Sequence, residues 1–192
     1  MKPLFIHIPK NAGSATRAAL EAKGMYPSWM AGHYTHLQQE ARSRYYNYNH
    51  DFAFCIVRNP YEKMISAYHH IRYRLQGRAK HDLKGKYLEH ANKILGASFD
   101  DFLRYFLLEF HTNETLVNYW HFMPQSTFLD SKNEIHVFKM TELNKVEDAV
   151  GIKIERINES NHGITNYNDF YSPWSKRLVE DFYRTDFERF NF

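Results

Sequence analysis

Two stretches of the chain carry residues whose types and spacing could do chemistry. The first is "FIHIPKNAGSATRAAL", residues 5–20. Lys10, Gly13, Ser14 and Thr16 fall close together there, between an apolar run and a stretch of helix formers. Such a turn can cradle an anion. A glycine lets backbone approach a ligand closely. The amides of Gly13, Ser14 and Ala15 would open the following helix, where unpaired N–H groups and the dipole attract negative charge. Lys10 adds a compact cation, and Ser14 and Thr16 add hydroxyl donors. The nucleoside-triphosphate signature G-x-x-x-x-G-K-[ST] is absent, because Lys10 precedes Gly13. An ordinary strand-to-helix turn with a solvated lysine is the other reading of these residues.

The second stretch is "VRNPYEKMISAY", residues 57–68. Arg58 falls where an apolar run ends, and Ser66 lies on the helix that follows. Helical side chains lean toward the N-terminus, so Ser66 can point back toward Arg58. A guanidinium fork and a hydroxyl make a second phosphate site; an arginine that only caps a loop is the alternative. Both turns would lie on one sheet edge, about one nucleotide apart.

The elements that must position these groups follow from the apolar pattern. "PLFIHI", "FAFCIV" and "EIHVFKM" read as strands. "SATRAALEAK", "LQQEARSRYY", "NPYEKMISAYHHIRYRL", "SFDDFLRYFLLEF" and "TELNKVEDAVG" read as helices, with "SPWSKRLVEDFYRTDFERF" as one C-terminal helix. Asn59 is the expected cap, and Pro60 the first residue, of the best of them. Tyr61, Met64, Ile65, Tyr68 and Leu75 recur on one of its faces. "MYPSWMAGHYTH" reads as irregular and "QGRAKHDLKGK" as a solvated loop. Strands alternating with helices imply an α/β fold with a mostly parallel sheet and ligands at the strands' carboxyl ends.

Composition narrows the class. At 192 residues the chain is expected to be a single domain, 1–192. Its formal charge of +3 suits an anionic ligand and is too small to argue for nucleic acid. Cys55 is the single cysteine, so an internal disulfide is excluded. No run of about 18 apolar residues suggests a membrane span, and no signal peptide is evident. The expectation is a cytoplasmic protein of unspecified oligomeric state.

"FIHIPKNAGSAT" resembles the 5′-phosphosulfate loop of sulfotransferases that use 3′-phosphoadenosine 5′-phosphosulfate (PAPS), of the kind related to the Golgi carbohydrate sulfotransferases. "VRNPYEKMISAY" resembles their 3′-phosphate motif. The likeness continues through "MPQSTFL", "FKMTELNKVEDAVGI" and the segment from "NESNH" to the final "ERFNF". It implies a P-loop-like, three-layer fold whose central sheet is flanked by helices, and PAPS as donor with PAP as product. Pro9, Lys10, Asn11, Ala12, Gly13, Ser14, Ala15 and Thr16 would hold the 5′ group, and Arg58 and Ser66 the 3′-phosphate. Ala15 stands where a hydroxyl residue is frequent, and Thr16 is the substitute donor. The Golgi relatives carry an N-terminal membrane anchor, so a compact member without one is expected here.

Sulfuryl transfer needs charge stabilisation and, for an alcohol acceptor, a base. Lys10 would meet the charge on the leaving oxygen. Histidine suits the base, and "GHYTH" offers His33, favoured by the family likeness, and then His36. The pair as zinc ligands is a further reading, without the additional ligands such a site needs; no metal is expected. Gln125 resembles a family position near the acceptor, as does His33; a buried amide tying a loop is the alternative for Gln125. The acceptor would be a carbohydrate or another small molecule. A P-loop kinase or other phosphotransferase, and a non-catalytic nucleotide- or glycan-binding domain, are the rival readings.

Overall fold

The computed structural model describes residues 1–77, 92–109, 119–129, 134–155 and 166–192. Three strands, β1 (Pro3–Ile6), β2 (Phe52–Val57) and β3 (Ile135–Lys139), form a parallel sheet in the order β1-β2-β3. Ile6 lies opposite Cys55, and Val57 opposite Lys139. The chain therefore leaves all three strands on the same edge of the sheet.

Besides a helical stretch at residues 92–96, the α-helices among the described residues are α1 (Gly13–Ala22), α2 (His36–Tyr45), α3 (Pro60–Gly77), α4 (Phe99–Arg104), α5 (Leu143–Val150), α6 (Pro173–Phe182) and α7 (Arg184–Phe190). The starts are set by side chains. Thr35 and Gln38 form a reciprocal capping box at α2. Asn59 Oδ1 accepts the Tyr61 amide at 3.0 Å, with Pro60 as the first residue of α3. Ser98 and Ser172 cap α4 and α6. Gly24, at φ +67°, ends the first turn after α1 in a conformation that favours glycine.

β1 and β2 are buried almost throughout, because they carry helices over their faces. Leu4, Ile6, Phe54 and Ile56 pack with Leu20, Phe128, Val146, Val150 and Phe190. A second cluster joins Met64, Ala67 and Ile71 of α3 to Phe102, Phe106, Phe122, Val179 and Tyr183. Cys55 is buried in the first cluster, and burial pushes its thiol up to about 12.

The α/β reading and the parallel sheet hold. Several boundaries differ. α3 runs on to Gly77, so Gln76 and Gly77 are helical and not loop. The rest of the basic stretch, and Asn158 to His162, lie outside the described residues. α4 gives way to a π segment, Tyr105–Glu109. A 3-10 turn, Met140–Glu142, precedes α5.

The C-terminal helix is two helices, divided at Tyr183 (φ −105°, ψ 21°). Val179, Tyr183, Asp186 and Phe190 all face inward. The Tyr183 hydroxyl donates to the Phe122 carbonyl. Asp186 accepts the amides of Gln125 and Ser126 at 2.7 and 2.8 Å. A buried carboxylate is tolerated only with such donors around it. Asp186→Ala would orphan both amides, and should destabilise the protein by roughly 3–5 kcal/mol in urea unfolding. Removing the exposed Asp181 carboxylate on the neighbouring helix should leave the midpoint nearly unchanged.

Candidate functional site

The loop from β1 to α1 is wound by two non-glycine residues with positive φ, Lys10 (70°) and Ala12 (57°). The left-handed conformation is unfavourable for each by about 1–2 kcal/mol. Strain of this kind persists where the surrounding structure fixes it, and it clusters at ligand clamps. It brings the chain into α1 without a capping side chain and without an acidic residue in the first turn. The first amides of α1 therefore have no capping side chain at the positive end of the helix dipole. Ser14 is exposed there, and its hydroxyl has no partner among the described residues.

Lys10 is half-buried, two residues before the α1 cap at Ala12. Burial, followed by the nearby Arg58 charge, lowers its ammonium to about 8. Arg58 leaves β2 with its Nε 3.1 Å from Glu62 Oε2 and its Nη1 3.5 Å from the Lys10 carbonyl. The two cationic loops thus adjoin each other. Ser66 follows two turns along α3 and has no hydrogen-bond partner among the described residues.

Gln125 joins the two loops. Its Oε1 accepts from Asn11 Nδ2 at 2.6 Å and from the Arg58 amide at 2.8 Å. Its Nε2 donates to the Arg58 carbonyl at 2.8 Å and to Asp186 Oδ2 at 3.3 Å. The carboxamide meets both backbone groups of Arg58, as a neighbouring strand would just past the end of β2. Asn11 Nδ2 also donates to the Ile56 carbonyl at 2.9 Å.

His33 comes to the same place from the loop between α1 and α2. Its Nδ1 lies 3.3 Å from the His7 carbonyl. A carbonyl only accepts, so Nδ1 carries the proton and Nε2 keeps its lone pair. Burial lowers the His33 pKa below 6.5; the bond to His7 opposes the shift and the Lys10 charge reinforces it. The ring sits 4.5 Å from that of His7 and 5.9 Å from that of His121, centroid to centroid. His7 is held neutral, down to about 3, mainly by burial.

Several residues do not stand where the sequence placed them. The clearance at Gly13 is taken by protein: a Cβ there would sit 1.9 Å from His7 Nε2. The Thr16 hydroxyl donates to the Ala12 carbonyl at 3.1 Å, so it does not replace a donor at Ala15. Pro9, Asn11 and Ala15 are buried, and Asn11 turns its amide inward. His36 is fully buried with Nε2 3.1 Å from Glu40 Oε1, which removes it as a base open to an acceptor. Gln125 is fully buried too, and ties loops together instead of touching an acceptor. Among the described residues no group of three or more His, Cys, Asp or Glu is placed to hold a metal ion.

A family model described as the sulfotransferase family matches residues 4–192, a span that includes the loops after β1 and β2 and both C-terminal helices. The chain belongs to the sulfotransferase family. Searches of curated proteins and of solved structures return no significant match. No helix among the described residues is long and apolar enough to cross a membrane.

In this sulfotransferase-family chain two supporting residues went unread in the sequence. Lys63 is fully buried on α3, and donates to the carbonyls of His121 and Met123 at 2.9 and 3.0 Å. Burial lowers it to about 7, against the opposing pull of Asp186. Asp186 is the second. Both sit on apolar helical stripes, Pro60–Lys63–Ala67–Ile71 and Val179–Tyr183–Asp186–Phe190. A charge at an inward position was the available signal.

Gly13→Ala should displace the His7 ring and destabilise by about 1–3 kcal/mol, the range for overpacking. Ser14→Ala, at an exposed neighbouring position, should leave the unfolding midpoint almost unmoved. Equal melting of both variants and wild type would contradict the packing of His7 on Gly13.

Proposed function

We propose that this protein transfers a sulfuryl group from PAPS to a hydroxyl or amine of a carbohydrate or other small molecule. The observation that carries the reading is the uncapped N-terminus of α1 beside Lys10, joined through Gln125 to Arg58. A nucleotide with phosphate at 3′ and phosphosulfate at 5′ presents two anions, and these residues offer two adjoining cationic anchors. The fit is chemical: free first-turn amides, two unpaired serine hydroxyls, and no acidic residue in the first turn of α1.

On this reading the α1 amides and Ser14 hold the sulfate and 5′-phosphate oxygens. Lys10 meets the charge that grows on the 5′-phosphate oxygen as its bond to sulfur breaks. Arg58 and Ser66 grip the 3′-phosphate. His33 Nε2 receives the proton of the acceptor hydroxyl as that oxygen bonds to sulfur. His7 fixes the tautomer that makes this possible. A cytoplasmic setting accords with the lone, buried Cys55.

The pH dependence follows from the two displaced groups. His33 must be neutral, so kcat/KM should fall as pH drops through a midpoint below 6.5. Lys10 must be charged, so kcat/KM for the donor should fall again as pH rises through about 8. Transfer of labelled sulfate from PAPS to mixed sugar and phenol acceptors, followed from pH 5 to 9, measures both limbs. His33→Ala should abolish the acid limb and lower kcat by about 10²–10⁴. Lys10→Met should abolish the alkaline limb and lower kcat by about 10²–10³. No transfer to any acceptor, or limbs unchanged in both variants, would contradict the assignment.

A further inference from the structure

We propose that Glu62 is a positioning residue for Arg58 and thereby sets selectivity for a nucleotide bearing a 3′-phosphate. The proposal rests on the reading of Arg58 as the 3′-phosphate arginine. Glu62 is the third residue of α3, four after Arg58, and its Oε2 lies 3.1 Å from Arg58 Nε. Nη1 meets the Lys10 carbonyl at 3.5 Å, and Nη2 has no partner among the described residues. The guanidinium is thus held by its inner nitrogen, and its outer edge is left to make the paired contacts that phosphate oxygens accept.

The ion pair contributes little to the fold. It is an i,i+4 pair with side chains 22% and 39% exposed, and such pairs are weak in water. Its consequence lies in orientation. An arginine side chain has several rotatable bonds, and ordering it on binding opposes association. Glu62 does that ordering before the nucleotide arrives.

A carboxylate next to a phosphate site has an opposite consequence available: it can compete with the phosphate for the guanidinium. The two effects have opposite signs, which makes the test decisive. PAP carries a 3′-phosphate and one 5′-phosphate, whereas ADP carries a 5′-diphosphate and no 3′-phosphate, so in calorimetry a variant's loss of PAP affinity that ADP does not share is assigned to the 3′ site. Glu62→Ala should weaken PAP about 3–10-fold and leave ADP unchanged. Glu62→Gln keeps an oxygen for Arg58 Nε, and should bind PAP at least as well as wild type. Thermal melting of each variant shows that the fold is kept.

PAP bound equally well or more tightly by Glu62→Ala would overturn the proposal, as would equal losses for PAP and ADP. Loss of PAP affinity in Glu62→Gln as large as in Glu62→Ala would also overturn it. Wild-type protein that binds PAP no more tightly than adenosine 5′-monophosphate would overturn the reading of Arg58, and this proposal with it. Wild-type preference for PAP with no change in Glu62→Ala would overturn the positioning role alone.

Discussion

The site depends on one buried carboxamide. Gln125 has no access to solvent, so each of its polar atoms requires a partner within the protein. Those partners are Asn11 from the loop after β1, both backbone groups of Arg58 from the loop after β2, and Asp186 from the last helix. Strand register brings the two loops to one edge of the sheet, but register alone does not fix their separation. The carboxamide does. An amide left without partners in a dry interior costs several times the net gain of a satisfied hydrogen bond, so the loops are held together by what their separation would expose.

The same constraint shapes the segment around Gln125. Lys63 donates to the carbonyls of His121 and Met123, Tyr183 donates to that of Phe122, and Asp186 accepts the amides of Gln125 and Ser126. Irregular backbone can be buried here because side chains from α3, α6–α7 and their junction satisfy it. The arrangement is costly. A lysine lowered to about 7, a histidine lowered to about 3 and two left-handed non-glycine residues all lie in or against one loop cluster. Fold stability alone does not favour such a concentration of displaced charge and strain. The proposed function would account for it: preorganised cations and amides stabilise incoming negative charge without reorganising at the moment of reaction.

Much of this was legible in the residues. The apolar runs placed the three strands, β2 to the residue, and the caps at Asn59 and Ser98 were read correctly because capping depends on local side chains. Lys10 and Arg58 were found together because loops at parallel strand ends share an edge. What the sequence does not carry has a physical origin. A missing Cβ at Gly13 and a hydroxyl at Thr16 can serve a ligand or neighbouring protein, and the fold sets His7 against Gly13 and the Ala12 carbonyl against Thr16. His33 and His36 are three residues apart, yet one turns to the site and the other inward to Glu40. The break at Tyr183 escaped notice because an apolar stripe continues through it in helical phase. Asp186 on that stripe was the visible anomaly.

The central claim is that Lys10 with the α1 amides, and Arg58 with Ser66, form one site for one nucleotide. Calorimetry of the wild-type protein with PAP, adenosine 5′-monophosphate and adenosine 3′-monophosphate tests it most directly. Each phosphate anchored by a charge-assisted hydrogen bond adds roughly 1.5–3 kcal/mol. PAP should therefore bind about 10–150-fold more tightly than either monophosphate, with all three competing for a single site. PAP that binds no more tightly than adenosine 5′-monophosphate, or that binds alongside it, would contradict the account.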